Sequence, residues 1–141
     1  MLEHLSKYSA IEDYFSGVFL KDMLSFFCFN SARPVPLGME SRAILDSWIS
    51  ATSEASSTFR PQLARLYQTN TFGGASGWCS YSNDYDQWLQ VDLQEQTRVT
   101  GIATQGRGDY PQWVKNYKLQ HGDDGHTFTF YRRIGDQSEA V

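Results

Sequence analysis

Cysteine is scarce: Cys28 and Cys79 are the only two in 141 residues. Their spacing matches no zinc-ligand pattern and no CxxC redox pair, and they allow either one disulfide or two free thiols, so the redox compartment stays open. Histidine is almost as sparse. His4, His121 and His126 stand in no nucleophile or metal motif, which leaves an enzymatic reading without an acid–base or ligand constellation. Long hydrophobic runs are missing as well, none reaching the roughly 18 uninterrupted apolar residues of a spanning helix. The apolar segment 18–29 is broken by Lys21 and Asp22, and residues 1–7 lack the basic start of a secretory signal. Positive charge is in deficit, with a net charge of -4. Nucleic acid is therefore not an expected partner, and an anionic bilayer could be reached only through a local patch.

What the chain does have is apolar material for one packed core, at 40% hydrophobic and 15% aromatic residues, a composition that excludes wholesale disorder. Leu2, Leu5, Tyr8, Ile11, Phe15 and Val18 recur at spacings of three or four, which predicts a helix in the N-terminal segment. Pro34 and Pro36 then interrupt regular structure. A boundary near residue 35 follows, with residues 1–35 as an atypical segment and 36–141 as the main domain.

Beyond Leu37 the pattern is short strands between turn clusters, the signature of an all-β sandwich or barrel. In 87–93, Trp88, Gln90 and Asp92 alternate with Leu89, Val91 and Leu93, so one face is aliphatic and belongs in the core. Further strands are expected at 99–104 and 114–121. Asp123, Asp124 and Gly125 supply a tight hairpin turn leading to a strand at 128–132. Trp78 and Trp88 are assigned to the core, and Trp113 reads more readily as core than as surface. There is no internal repeat and no low-complexity tract.

Six strings occur in order between Pro36 and Gln120: Pro36-Leu37-Gly38-Met39-Glu40, Ser50-Ala51-Thr52-Ser53, Ala64-Arg65-Leu66, Gln87-Trp88-Leu89-Gln90-Val91-Asp92-Leu93, Thr104-Gln105-Gly106-Arg107 and Trp113-Val114-Lys115-Asn116-Tyr117-Lys118-Leu119-Gln120. In this order and spacing the sequence resembles the discoidin, or coagulation factor 5/8 type C (F5/8C), domain family. The resemblance implies a galactose-binding-domain-like jelly-roll β-sandwich or barrel. It also implies an extracellular or cell-surface location, binding of glycans, phosphatidylserine, collagen or protein ligands, and no catalysis. Domains of this kind continue past the hairpin around Gly125 into further core strands. On that pattern the chain is expected to be a C-terminally truncated fragment with unpaired sheet edges, which the apolar N-terminal segment could cover.

The same resemblance places ligands at loops 54–61, 79–86 and 106–112, and loops on a rigid scaffold are where binding residues tend to sit. In the first, Phe59 and Arg60 offer an aromatic beside a guanidinium at the expected tip. In the second, Tyr81, Asn83 and Asp84 suit ligand hydroxyls or amino groups, although Asn and Asp also form turns. In the third, Arg107 and Tyr110 flank Gly108 and Asp109. Arg107-Gly108-Asp109 is a string of the kind integrins recognise, but three residues are a weak signal and the resemblance gives Arg107 a loop-ordering role. No cofactor is expected. Calcium is held near the domain start in some relatives, so Asp46 is a candidate contributor, but one carboxylate falls short of the ~6 oxygens the ion takes. A glycan or a cell-surface or matrix protein is the favoured ligand. An anionic phospholipid surface is the alternative, contacted through Phe59 and the cations Arg60 and Arg65; a purely structural role in a larger cell-surface protein is a third reading.

Overall fold

The computed structural model describes residues 7–21, 35–69 and 75–131. It is all-β. Strands β1 (Lys7–Lys21), β2 (Ile49–Ala51), β3 (Trp88–Thr104), β4 (Lys118–Gly122) and β5 (Thr129–Phe130) form one sheet in the order β2-β3-β1-β4-β5. The pairings are antiparallel throughout. Of three single-turn 3-10 helices, Asp46–Trp48 leads directly into β2, and Ser57–Phe59 and Pro61–Leu63 lie in the loops that follow it.

β3 carries the core. Leu89, Val91 and Leu93 are buried, and Val99 and Ile102 continue the interior face farther along the strand. The two strands expected at 87–93 and 99–104 are arms of this single strand, bent where Gln94 takes a positive φ of 65° and donates its amide to Asp92 Oδ1 at 2.8 Å. Met39, Ile44, Ile49, Ala64, Trp78, Tyr117 and Leu119 pack on the same core. At β4 only the second half of the expected strand 114–121 is realised, beginning at Lys118. The loop ahead of it is closed by the bond from Arg107 N to Gln112 O at 2.9 Å. Of the return strand expected at 128–132, Thr129–Phe130 is strand.

The N-terminal expectation is corrected. Over Lys7–Lys21 the chain is a strand and not a helix, lying between β3 and β4, with Val18 opposite Val91 on one side and His121 on the other. Tyr8, Ile11, Tyr14, Phe15, Val18 and Phe19 are aromatic or β-branched types that suit a pleated sheet, and two flanking strands supply backbone partners that outweigh a helical spacing. Leu2 and Leu5, the apolar run 23–29 and Cys28 lie outside the described residues. No helix among the described residues is long and apolar enough to cross a membrane.

Two tryptophan assignments also change. Trp78 is core at 2% exposure, and its indole donates to Ser53 O at 2.8 Å. Trp88, alternating with the buried Leu89, is only half-buried on the opposite face of β3. Trp113 is 56% exposed, because the chain has not yet entered β4 there and its Cβ packs close over Gly106.

The turn at 38–46 is pinned from within. Gly38 has φ of 118°, and a Cβ there would lie 2.5 Å from the Ala43 side chain, so glycine is required on both counts. Above this turn lies Arg65, 1% exposed. It donates from Nη1 to Met39 O at 2.8 Å, from Nη2 to Ile44 O at 2.9 Å and Asp46 Oδ1 at 2.5 Å, and from Nε to Gln62 O at 3.1 Å. This corrects the expectation of Arg65 as a surface cation: its guanidinium ties 39–46 to 62–65 and faces no solvent.

Candidate functional site

The three loops singled out from the sequence meet around one arginine. Loop 54–61 is stapled to segment 75–79 by backbone bonds from Ala55 N to Cys79 O (2.9 Å), Ala75 N to Thr58 O (2.8 Å) and Cys79 N to Phe59 O (3.3 Å). Its 3-10 turn Ser57–Phe59 is capped by Ser56, whose side chain accepts from Thr58 N. The turn sets the Phe59 ring beneath Arg107, whose guanidinium carbon stands 4.9 Å from the Phe59 centroid and 5.6 Å from that of Tyr110. A cation between two aromatic faces is held by the ring quadrupoles. Phe59 is accordingly half-buried. Its ring supports Arg107 from the loop tip.

The ends of Arg107 are also committed. Nε and Nη2 donate to the two oxygens of Asp109 at 3.1 and 2.8 Å, and Nη1 donates to Gln112 Oε1 at 2.7 Å. The Arg107 and Asp109 side chains are only 12% and 24% exposed. The Arg107-Gly108-Asp109 tripeptide is therefore closed on itself as a bidentate ion pair. Ser76, buried in the neighbouring segment, completes the clasp. Its hydroxyl accepts from Gly108 N at 2.8 Å and Asp109 N at 3.0 Å and donates to Asp109 Oδ1. The Arg107 guanidinium, opposed by burial and aided by Ser76, holds the Asp109 carboxyl well below the usual carboxylate range. Asp109 in turn raises Arg107 further above its already high value. Beside this pair lies the half-buried Cys79, a free thiol that burial pushes up against the opposing pull of Arg107.

Loop 79–86 attaches through Ser53, which accepts from Tyr81 N at 3.0 Å and donates to Gln87 Oε1 at 2.5 Å. Asp84 Oδ1 accepts from Asp86 N and Gln87 Nε2, each at 2.9 Å, so this oxygen closes the turn. Asn83 and Arg60 are exposed. The geometry thus brings Phe59, Arg107 and Tyr110 into one stack, sets Arg60 at its edge, and holds Tyr81, Asn83 and Asp84 on the adjoining loop. Asp46 is paired with Arg65 and, at 3.5 Å, with Arg42. Among the described residues no group of three His, Cys, Asp or Glu side chains could hold a metal ion.

Sequence reasoning missed the exposed aromatic set. Tyr81 (78%), Tyr85 (87%), Tyr110 (58%) and Trp113 (56%) all stand out from the second and third loops, whereas only Tyr81 and Tyr110 were singled out. It also missed Ser76 and Gln112, small polar residues whose roles depend on which loops are neighbours.

Comparison with known proteins shows the family. The family model described as "F5/8 type C domain" matches residues 49–140. The non-catalytic subunit of venom prothrombin activator pseutarin-C from Pseudonaja textilis is 41% identical over 112 residues, 76% of this chain and 8% of that protein. Rattus norvegicus lactadherin is 40% identical over 108 residues, 71% of this chain and 25% of its own length. The Homo sapiens EGF-like repeat and discoidin I-like domain-containing protein 3 is 42% identical over 122 residues, 81% of this chain and 25% of that protein. The chain thus spans a quarter or less of the length of each of these three relatives. No solved structure matches it.

Proposed function

Because the chain belongs to the F5/8 type C domain family, we propose that it is a non-enzymatic, extracellular binding module that captures a glycan or protein surface with the aromatic rim of loops 79–86 and 106–113. The observation that carries this reading is the exposure of Tyr81, Tyr85, Tyr110 and Trp113 around a rigid clasp. Tyrosine and tryptophan join a broad apolar face to a polar tip, and lose little entropy on binding. Such a rim suits a ligand that offers both a face to stack on and groups to hydrogen-bond. Arg60 and Asn83, exposed beside it, add a donor fork and an amide. Insertion into a lipid bilayer is less well served: Phe59 is committed to Arg107, Arg107 is neutralised by Asp109, and Arg65 is buried. One relative is named a non-catalytic subunit, in keeping with a role in binding.

The test is binding of the purified chain to a glycan array, to immobilised matrix proteins, and to phosphatidylcholine vesicles with and without phosphatidylserine. Binding to a glycan or protein should persist at high salt and fall about tenfold or more when Tyr81 and Tyr110 are both changed to Ala, since central aromatic anchors each carry upward of ~1 kcal/mol. Binding only to phosphatidylserine vesicles, weakened by salt, would overturn the reading in favour of a lipid-surface module.

A further inference from the structure

Of the described strands, only β1 lies outside the stretch that carries the family match. β2, β3, β4 and β5 all fall within residues 49–140, whereas β1 is Lys7–Lys21. Yet β1 is the middle strand in the order β2-β3-β1-β4-β5. Without it the sheet divides into β2-β3 and β4-β5, and an isolated two-stranded ribbon is marginal in water. β3 and β4 are thus the walls of a cleft completed by a segment remote in sequence. Over Gly17–Lys21 both walls are used: Gly17 stands opposite Asp92 and Gly122, and Lys21 opposite Trp88 and Lys118.

The cleft is selective. β3 bends at Gln94, where φ is 65°, and the register of β1 breaks at the same level, between Phe15 opposite Thr97 and Gly17 opposite Asp92. A second irregularity falls between Ala10 and Asp13. A strand of unbroken register would turn the wrong face inward past either point, so an occupant must carry the same interruptions at the same places. A second copy of this chain does.

We propose that the cleft between β3 and β4 accepts a strand in trans, and that its partner is residues 7–21 of a second copy of this chain, giving a strand-exchanged dimer. The ladder formed in trans is the ladder formed in cis, so the exchange costs little. The tether allows it: residues 22–34, between Lys21 and Val35, span about 45 Å when extended, well beyond the radius of gyration of about 14 Å for a domain of this length. With equal contacts, the balance is set by concentration, and a short tether gives an effective concentration on the order of 1 mM. Monomers prevail in dilute solution, and exchanged dimers form when the chain folds near that concentration. Each dimer carries the loop clasp twice, whatever its ligand.

The full chain is unfolded in urea and refolded at about 1 mM and at about a hundredfold lower concentration, with and without an excess of a synthetic peptide of residues 7–21. Mass is read by size-exclusion chromatography with light scattering. A dimer is expected at the higher concentration, a monomer at the lower, and a monomer with one bound peptide where the peptide is in excess; a scrambled peptide should leave the dimer intact. Val18→Pro removes a ladder amide from the central strand, so its cooperative melt should be lost and then restored by the peptide. A wild-type chain that stays monomeric at about 1 mM, a dimer that the peptide does not suppress, or a Val18→Pro variant that melts like the wild type would each overturn the proposal. If Val18→Pro aggregates, the wild-type masses with and without peptide decide. None of these outcomes bears on ligand binding by the aromatic rim, which the binding assays decide separately.

Discussion

Replacing Arg65 by Met should cost the fold about 3 kcal/mol. Methionine keeps the length of the apolar stem and deletes the guanidinium, so the packing loss is small and the loss is one of hydrogen bonds. Arg65 is 1% exposed and serves the Met39 and Ile44 carbonyls at 2.8 and 2.9 Å. A buried acceptor left without a donor costs about 1–3 kcal/mol. The Gln62 carbonyl, at 3.1 Å, adds a smaller share, whereas Asp46, 56% exposed, can turn to water and contributes less than about 1 kcal/mol. Relief from desolvating the guanidinium offsets part of the sum. For a chain of this size the melting temperature should fall by about 10 °C, followed by circular dichroism and by urea denaturation with tryptophan fluorescence at neutral pH. Asp46→Asn is the paired control, with an expected cost of at most about 1 kcal/mol. An Arg65→Met variant within about 0.5 kcal/mol of wild type, or an Asp46→Asn variant as unstable as Arg65→Met, would refute the assignment of the stability to the carbonyl bonds.

Two further outcomes follow from the loops. Ser76→Ala removes the acceptor of Gly108 N and Asp109 N and should cost about 1–3 kcal/mol; in limited proteolysis, cleavage should rise selectively within 106–112, and an unchanged pattern would show that Arg107 alone holds the loop. Backbone amides of Thr127 and His126 hold the Asp124 carboxyl at about 2, against an ordinary value of ~3.9. Because the folded value is depressed, this cap stabilises the turn above about pH 4 and is lost as pH falls toward about 2; the amide resonances of residues 126 and 127 should titrate in the lower part of that window, and a midpoint at the ordinary value would contradict the cap.

The parts of the fold that were legible in the sequence are those where a local pattern and the burial agree. Leu89, Val91 and Leu93 alternate with polar neighbours, and all three are buried, because a strand with one covered face must write that face at every second position. The turn before β5 was legible for a similar reason, as Asp124 caps it and Gly125 takes the positive φ of 72°. β1 was not, since apolar residues at spacings of three and four also occur in a strand, and the choice was made by β3 and β4 on either side of it. Trp113 was misplaced because an aromatic side chain carries no direction of its own; the close packing of Gly106 under its Cβ decides it.

The site divides along the same line. The three loops could be placed from six local strings, but whether an arginine in one of them is free depends on residues distant in sequence. Arg65 and Arg107 look alike as letters, yet one is spent on the carbonyls of 39, 44 and 62 and the other on Asp109, Gln112 and two rings. Each rigidifies the loops it crosses by giving up its charge. The proposed recognition surface is consequently made from what these clasps leave over, namely rings with hydroxyl or indole tips, and preorganised rings bind with little ordering cost. Specificity at this end of the sheet should therefore vary with the aromatic residues at 81, 85, 110 and 113, while changes at 76, 107 and 109 alter every ligand alike by loosening the frame.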